Sequence, residues 1–215
     1  EYKINAEKTA VITFGISWNA IPSIFERDAA KKTLLNKYSI ADDEVLFLFN
    51  GAFDYQPNLD AVKNIIDKIN PLFIRENVAY KIFICGKNLP AEMDELKKYK
   101  DKNIIYTGFV DDISIYFKGT DIFLNPVTDG GGIKTKLVEA IGYNLNAVST
   151  LNGAIGVEED LCNGKLLLCE NIDWQGFSNK MKEAINIGKS TDETFFEKFY
   201  WDNIAQKAAN IVGQL

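Results

Sequence analysis

Strand and helix signals alternate about six times along this 215-residue chain. That alternation predicts an α/β fold: a three-layer, Rossmann-like sandwich whose mostly parallel, six-stranded sheet carries helices on both faces. Two further observations agree. The runs VLFLFN (Val45–Asn50) and YKIFIC (Tyr80–Cys85) are nearly continuous apolar stretches, as expected of strands covered on both faces. Glycines also follow the predicted strands, at Gly51, Gly86, Gly108, within 126–132 and within 150–153. The carboxyl ends of parallel strands share one edge of the sheet, and ligands sit in the crevice outside it. Glycine also serves ordinary strand–helix turns, but so many glycine-bearing ends facing one crevice favour a binding site.

In chain order, residues 1–10 are polar and read as a leading linker. Residues 10–16 (AVITFGI) read as a strand at an edge. Residues 25–38 read as an amphipathic helix, and Val45–Asn50 as a buried strand. Asn58 is the expected cap of a helix carrying Leu59, Val62, Ile65, Ile66 and Ile69 inward. Strand Tyr80–Cys85 follows, then a short charged helix over 91–99 and a strand over 103–107. Asp111 or Asp112 caps a short helix through Phe117. Residues 121–125 and 147–150 are strands separated by a glycine loop (128–132) and a helix (133–143). The last strand spans 164–169. Residues 173–187 and 192–215 are helical, the latter broken near Tyr200, Trp201 and Asp202, with Asp202 as N-cap and 202–215 as the final helix. The 215 residues read as a single domain without repeats.

Composition narrows the chemistry. Hydrophobic content of 47% and charged content of 25% are those of a globular protein. The net charge is −6 and no basic run occurs, which argues against a nucleic-acid partner. No apolar stretch reaches membrane-span length and no signal peptide is visible, so a cytoplasmic protein without membrane contact is expected. The chain starts at Glu1 without an initiator Met and reads as a fragment. Cys85, Cys162 and Cys169 lack CxxC spacing and read as reduced, mostly buried thiols. There is no histidine, which removes His triads and His metal sites.

The sequence DIFLNPVTDGGGIKTKLVEAIGYNLNAVST (121–150) concentrates the chemistry. A strand feeding three glycines and a helix N-terminus can hold an anion, because free N–H groups and the positive helix end point at the guest. Lys134 and Lys136 stand in the first turn, where a helix alone favours Asp or Glu. Glu139 follows one turn later. Gly132, Lys136, Glu139 and Tyr143 share one stripe, and Ile133, Leu137, Ala140 and Ile141 form the core stripe. Taken alone, the stretch has two open readings: an anion site, or a flexible turn followed by a solvated lysine face. It matches neither the Walker pattern nor GxGxxG.

The blocks FNGAFDYQPNLDAV (49–62), IFICG (82–86), IIYTGFVDDISIYFKGTDIFLNPV (104–127), GGGIKTKLVEAIGYNLNAVST (130–150), GAIGV (153–157) and FYWDNIAQKA (199–208) are similar, in order and spacing, to the C-terminal half of family 4, group 1 glycosyltransferases of the GT-B fold. That resemblance implies one half of a two-domain enzyme. This half would bind a nucleotide-diphosphate sugar for retaining, hexosyl-type transfer, and an N-terminal acceptor-binding domain would lie outside this chain. The fragment itself would be inactive. No cofactor or metal is implied beyond the donor substrate.

The resemblance implies the base near Gly108–Val110, the ribose on Glu139 and the diphosphate over Gly131, Gly132 and Ile133, with Lys134 or Lys136 nearby. Gly51 would allow the donor to approach closely. Gly86 borders the crevice. Lys87 is the nearest candidate for a phosphate-binding lysine of an earlier loop. Gly131 stands where many members have a glutamate, and Asp129 is the substitute candidate for a catalytic carboxylate. Two rival readings are a non-catalytic nucleotide- or protein-binding domain of the same fold and half of a sugar-nucleotide epimerase. The second is weakened by the missing histidine.

Overall fold

The computed structural model describes residues 9–213, so residues 1–8 of the expected linker (1–10) and residues 214–215 lie outside the described residues. The strands are β1 (Val45–Asn50), β2 (Tyr80–Cys85), β3 (Ile104–Gly108), β4 (Ile122–Asn125), β5 (Asn146–Thr150) and β6 (Leu166–Cys169). The helices are α1 (Ile24–Tyr38), α2 (Gln56–Asn64), α3 (Asn70–Phe73), α4 (Ser114–Gly119), α5 (Thr135–Gly142), α6 (Trp174–Ala184), α7 (Glu193–Phe199) and α8 (Trp201–Val212). The six strands form one sheet in the order β3-β2-β1-β4-β5-β6, and every neighbouring pair is parallel. The expected three-layer α/β sandwich is the observed one.

Alternation along each strand feeds two separate cores. Leu46, Leu48, Phe83, Phe123 and Ala147 face α1, α4, α5 and α7, through Leu34, Phe117, Leu137, Ile141 and Phe199. Phe47, Phe49, Ile82, Ile84, Leu124 and Val148 face α2, α3 and α6, through Val62, Phe73, Phe177 and Met181. This two-faced burial explains the continuous apolar runs.

Several local expectations are corrected. Residues 10–16 do not form a strand: Ile16 alone bridges to Tyr200, with Ile16 N–H donating to Phe199 O (2.6 Å) and Trp201 N–H donating to Ile16 O (3.0 Å). Asn58 is not a cap. The helix begins at Gln56 with Pro57 in its first turn, where a missing N–H costs nothing, and Asn58 Nδ2 reaches back to Ala52 O (3.0 Å). The same helix continues through a π-helical turn at Ile65–Ile69, a wide turn that suits Pro71, which has no N–H to give.

The short charged helix is a 3₁₀ helix over Ala91–Lys102, longer than expected and broken by Asp94, Glu95 and Leu96 in left-handed conformations. Neither Asp111 nor Asp112 holds the N-cap position of α4, which falls to Ile113, although Asp112 accepts from Ser114 N–H (2.9 Å) beside it. Asp173 and Asp192 cap α6 and α7. Asp202 caps nothing: Tyr200 holds that position, and its hydroxyl donates to Asp202 Oδ2 (2.6 Å). The three cysteines are free and buried. No described helix is long and apolar enough to cross a membrane.

Candidate functional site

The strand order reverses between β1 and β4, so the loops leaving these strands diverge and open a crevice at the carboxyl edge. Two adjoining cavities occupy it. One, about 340 Å³, is lined by Asn50, Gly51, Gly86, Lys87, Val110 and Lys136 among others. The second, about 250 Å³, is lined by Asn50, Asn58, Asn125, Gly131, Ile133 and Lys136 among others. Asn50 and Lys136 belong to both walls.

The glycine loop is shaped by Lys134. Its ammonium donates to the carbonyls of Gly130 (2.7 Å), Gly132 (3.1 Å) and Gly131 (3.4 Å). In a trans peptide the C=O and the next N–H point in opposite directions. The three carbonyls gathered by Lys134 share peptide units with the amides of Gly131, Gly132 and Ile133, so those amides are turned away from the ammonium. They meet no protein acceptor among the described residues. Gly130 and Gly132 have φ of +92° and +72°, which favours glycine at both. A Cβ on Gly131 would meet nothing within 4 Å, and no positive φ explains this glycine: it borders open space.

Lys134 is the N-cap residue of α5, not a first-turn residue as expected, because the helix starts at Thr135 rather than at 133. Its side chain holds the loop, and the residue also lines the second cavity. We expect Lys134→Ala to weaken binding of any anion at the loop by about three- to tenfold, since each net hydrogen bond contributes roughly 0.5–1.5 kcal/mol. Isothermal calorimetry on the variant measures it.

Lys136 is half-buried and makes no ion pair or hydrogen bond with a described residue. Glu139, also half-buried, stands one turn on, and its carboxylate likewise has no partner among them. Burial raises the Glu139 pKa, and the charge of Lys136 partly opposes that. A carboxyl whose folded pKa is raised stabilises the fold at low pH and less as pH rises through the folded value. Glu139→Gln is therefore expected to raise the neutral-pH melting temperature of the free protein and to flatten that decline, while weakening a ligand that needs the two-oxygen acceptor. Thermal unfolding from pH 4 to 8, with and without ligand, checks both halves.

The other expected residues divide. Gly51, Gly86, Lys87 and Val110 line the first cavity, with Lys87 exposed. The missing side chains of Gly51 and Gly86 make room for protein, however. A Cβ on Gly51 would lie 2.8 Å from the Asn58 side chain, and one on Gly86 would lie 1.8 Å from Gly51 O. Gly51 N–H is spent on Cys85 O (3.0 Å). Gly108 takes φ +67° and accepts from Gly86 N–H (2.9 Å), but it lines a different cavity, beside Tyr38 and Tyr106. Gly132 and Glu139 line neither crevice cavity. Asp129 is exposed and accepts from Gly130 N–H (2.6 Å), so it braces the loop. Cys85 lies in the crevice floor, where burial pushes its thiol up to about 12 and keeps it protonated.

Sequence reasoning missed Asn50 and Asn125. Each is the polar last residue of an apolar strand, and that was the available signal. Asn125 Nδ2 is spent on Ser149 Oγ (3.0 Å) and Gly153 O (2.8 Å). Asn50 Oδ1 is buried in the shared wall without a partner among the described residues.

Solved structures share this fold. A glycosyltransferase from Rickettsia africae superposes with a TM-score of 0.73 at 14% identity, covering 98% of this chain and 58% of that one. Anabaena HepE, solved with UDP and glucose, gives 0.71 at 19% identity, covering 98% and 58%. The C-terminal domain of the Francisella tularensis group 1 glycosyl transferase LpcC gives 0.58 at 19% identity, and here 90% of this chain covers 98% of that one. The fold is that of the C-terminal half of a GT-B glycosyltransferase.

The family described as glycosyl transferases group 1 matches over residues 44–186, more than half of the chain, and the chain belongs to that family. An uncharacterized 44.6 kDa protein in the cps region of Klebsiella pneumoniae is 26% identical over 183 residues, 79% of this chain and 47% of that protein. The chain thus spans about half the length of this relative.

Proposed function

We propose that the crevice binds the nucleotide-diphosphate sugar of a cytoplasmic, retaining hexosyltransferase, whose acceptor is held by a second domain outside this chain. One observation carries the reading. The amides of Gly131, Gly132 and Ile133, turned away from the Lys134 ammonium, stand at the switch point with Lys136, which has no hydrogen bond or ion pair among the described residues. Amides and ammonium together suit a diphosphate, and they gain most as charge builds on it during departure. The cavity wall at Val110 suits the base, and the Glu139 carboxylate, which has no hydrogen bond among the described residues, suits a ribose diol. In this reading the positive charge comes from Lys136, the amides and the N-terminal end of α5, and neither a metal nor a cofactor is used. UDP is the first nucleotide to test, since Anabaena HepE was solved with it.

Thermal unfolding with UDP, GDP, ADP, TDP and CDP tests the proposal. A ligand at about 100 times its dissociation constant adds roughly 2.7 kcal/mol. About 1 kcal/mol moves the midpoint of a domain this size by roughly 2–4 °C. One nucleotide is expected to raise it by several degrees, and no response to any at millimolar concentration would contradict the reading. The isolated chain is expected to transfer no sugar from radiolabelled donors.

A further inference from the structure

The opposite, amino edge of the sheet holds a cavity of about 470 Å³, within the size range of small-molecule sites. It lies where β1, β4 and β5 begin, and its wall includes Lys165, the residue before β6. We propose that it is a second ligand site, which takes a small phosphorylated polyol with its phosphate between Arg27 and Lys165.

Lys165 is 2% exposed. Its ammonium donates to Asn146 Oδ1 (2.9 Å) and Lys189 O (2.8 Å), and the third of its protons has no partner among the described residues. Arg27 gives two N–H groups to backbone, at Tyr143 O (2.8 Å) and Thr120 O (2.9 Å). Neither cation pairs with a described carboxylate. Burial, then the nearby charge of Arg27, lowers Lys165 to about 8, so it is still a cation at neutral pH.

The two inner carboxylates are already engaged. Asp121 accepts from Lys31 (2.8 Å) and from Leu46 N–H (2.9 Å), and Glu44 pairs with Lys81 (3.2 Å). Arg27 feels the charges of Asp121 and Asp28, but Lys165 is fully buried, lies near the charge of Arg27 and pairs with no described carboxylate, and such a charge is costly unless an anion offsets it. Asp42 and Asp43 are exposed residues of the same cavity. They would repel a second anionic group, whereas they can accept from hydroxyls, which favours a polyol body behind the phosphate.

Glycerol 3-phosphate and inorganic phosphate are the probes, titrated by calorimetry at constant ionic strength with chloride as reference. Binding is expected in the wild type and in Lys136→Ala, with glycerol 3-phosphate the tighter. Arg27→Gln and Lys165→Met should each weaken it by about tenfold or more, the effect of losing a charged hydrogen bond. Should Lys165→Met fail to fold, Arg27→Gln decides, with circular dichroism reporting its fold. Asp42→Asn with Asp43→Asn should remove the advantage of glycerol 3-phosphate. No heat at tens of millimolar phosphate would overturn the proposal. So would binding that survives Arg27→Gln but is lost in Lys136→Ala, which would place the phosphate in the carboxyl-edge crevice. Equal binding of the two probes would overturn the polyol assignment. Nucleotides take no part, so this outcome is separate from that of the donor reading.

Discussion

Gly86→Ala is expected to cost about 3 kcal/mol or more, at or above the usual range for overpacking, and to lower the melting temperature by roughly 6–12 °C. The new Cβ would lie 1.8 Å from Gly51 O and 2.8 Å from the buried Phe53 ring. Neither obstacle can move cheaply. Gly51 N–H is bonded to Cys85 O and Gly86 N–H to Gly108 O, so the ends of β1, β2 and β3 are tied together at this spot. Their separation would deform the cavity between Gly51 and Val110, and nucleotide binding should fall with stability. Gly131→Ala is the matched control. Its Cβ meets nothing, so the midpoint should stay within about 2 °C, the shift for roughly 0.5 kcal/mol at an exposed site. Urea unfolding of both variants decides. Equal stability of Gly86→Ala and wild type would show that the two loops are not packed as described.

Lys136→Ala should weaken a bound nucleoside diphosphate by about 10- to 100-fold, the worth of a charged hydrogen bond at roughly 1.5–3 kcal/mol. The ammonium serves both cavities and has no partner to release among the described residues. Removing it should therefore change the free protein's stability only slightly, by the loss of its attraction to the Glu139 carboxylate. This separation of binding from stability distinguishes a ligand-facing lysine from one that braces the fold. The effect should shrink with added salt. Lys87→Ala, on an exposed side chain at the rim, should do less.

The sheet was legible because its strands are buried on both faces, and β1 and β2 were read to their exact bounds. The run at 10–16 misled because it is apolar for a different reason: Ile16 and Phe14 pack beside α7 and α8, where Phe14 meets the Trp201 ring edge-on at 5.7 Å. Asn58 misled because Pro57 was the stronger start signal. The loop 130–132 was legible as a place for an anion from its glycines and lysines. The division of labour between the lysines was not, since it depends on where α5 begins. A helix starting two residues later than expected turns Lys134 back onto the loop and leaves Lys136 facing the crevice. Asn50 was passed over as a strand end. Its importance comes from the neighbouring strand β4, which places it at the switch point with an oxygen that has no partner among the described residues.

Backbone-amide NMR during titration with UDP, then with the other nucleoside diphosphates, tests the donor site most directly. One nucleotide is expected to shift the amides of Gly131, Gly132, Ile133 and Lys136 together with Gly86 and Val110, and to leave Arg27 and Lys165 at the opposite edge in place. Shifts confined to that opposite edge, or none with any nucleotide, would contradict a donor site at the carboxyl edge of the sheet.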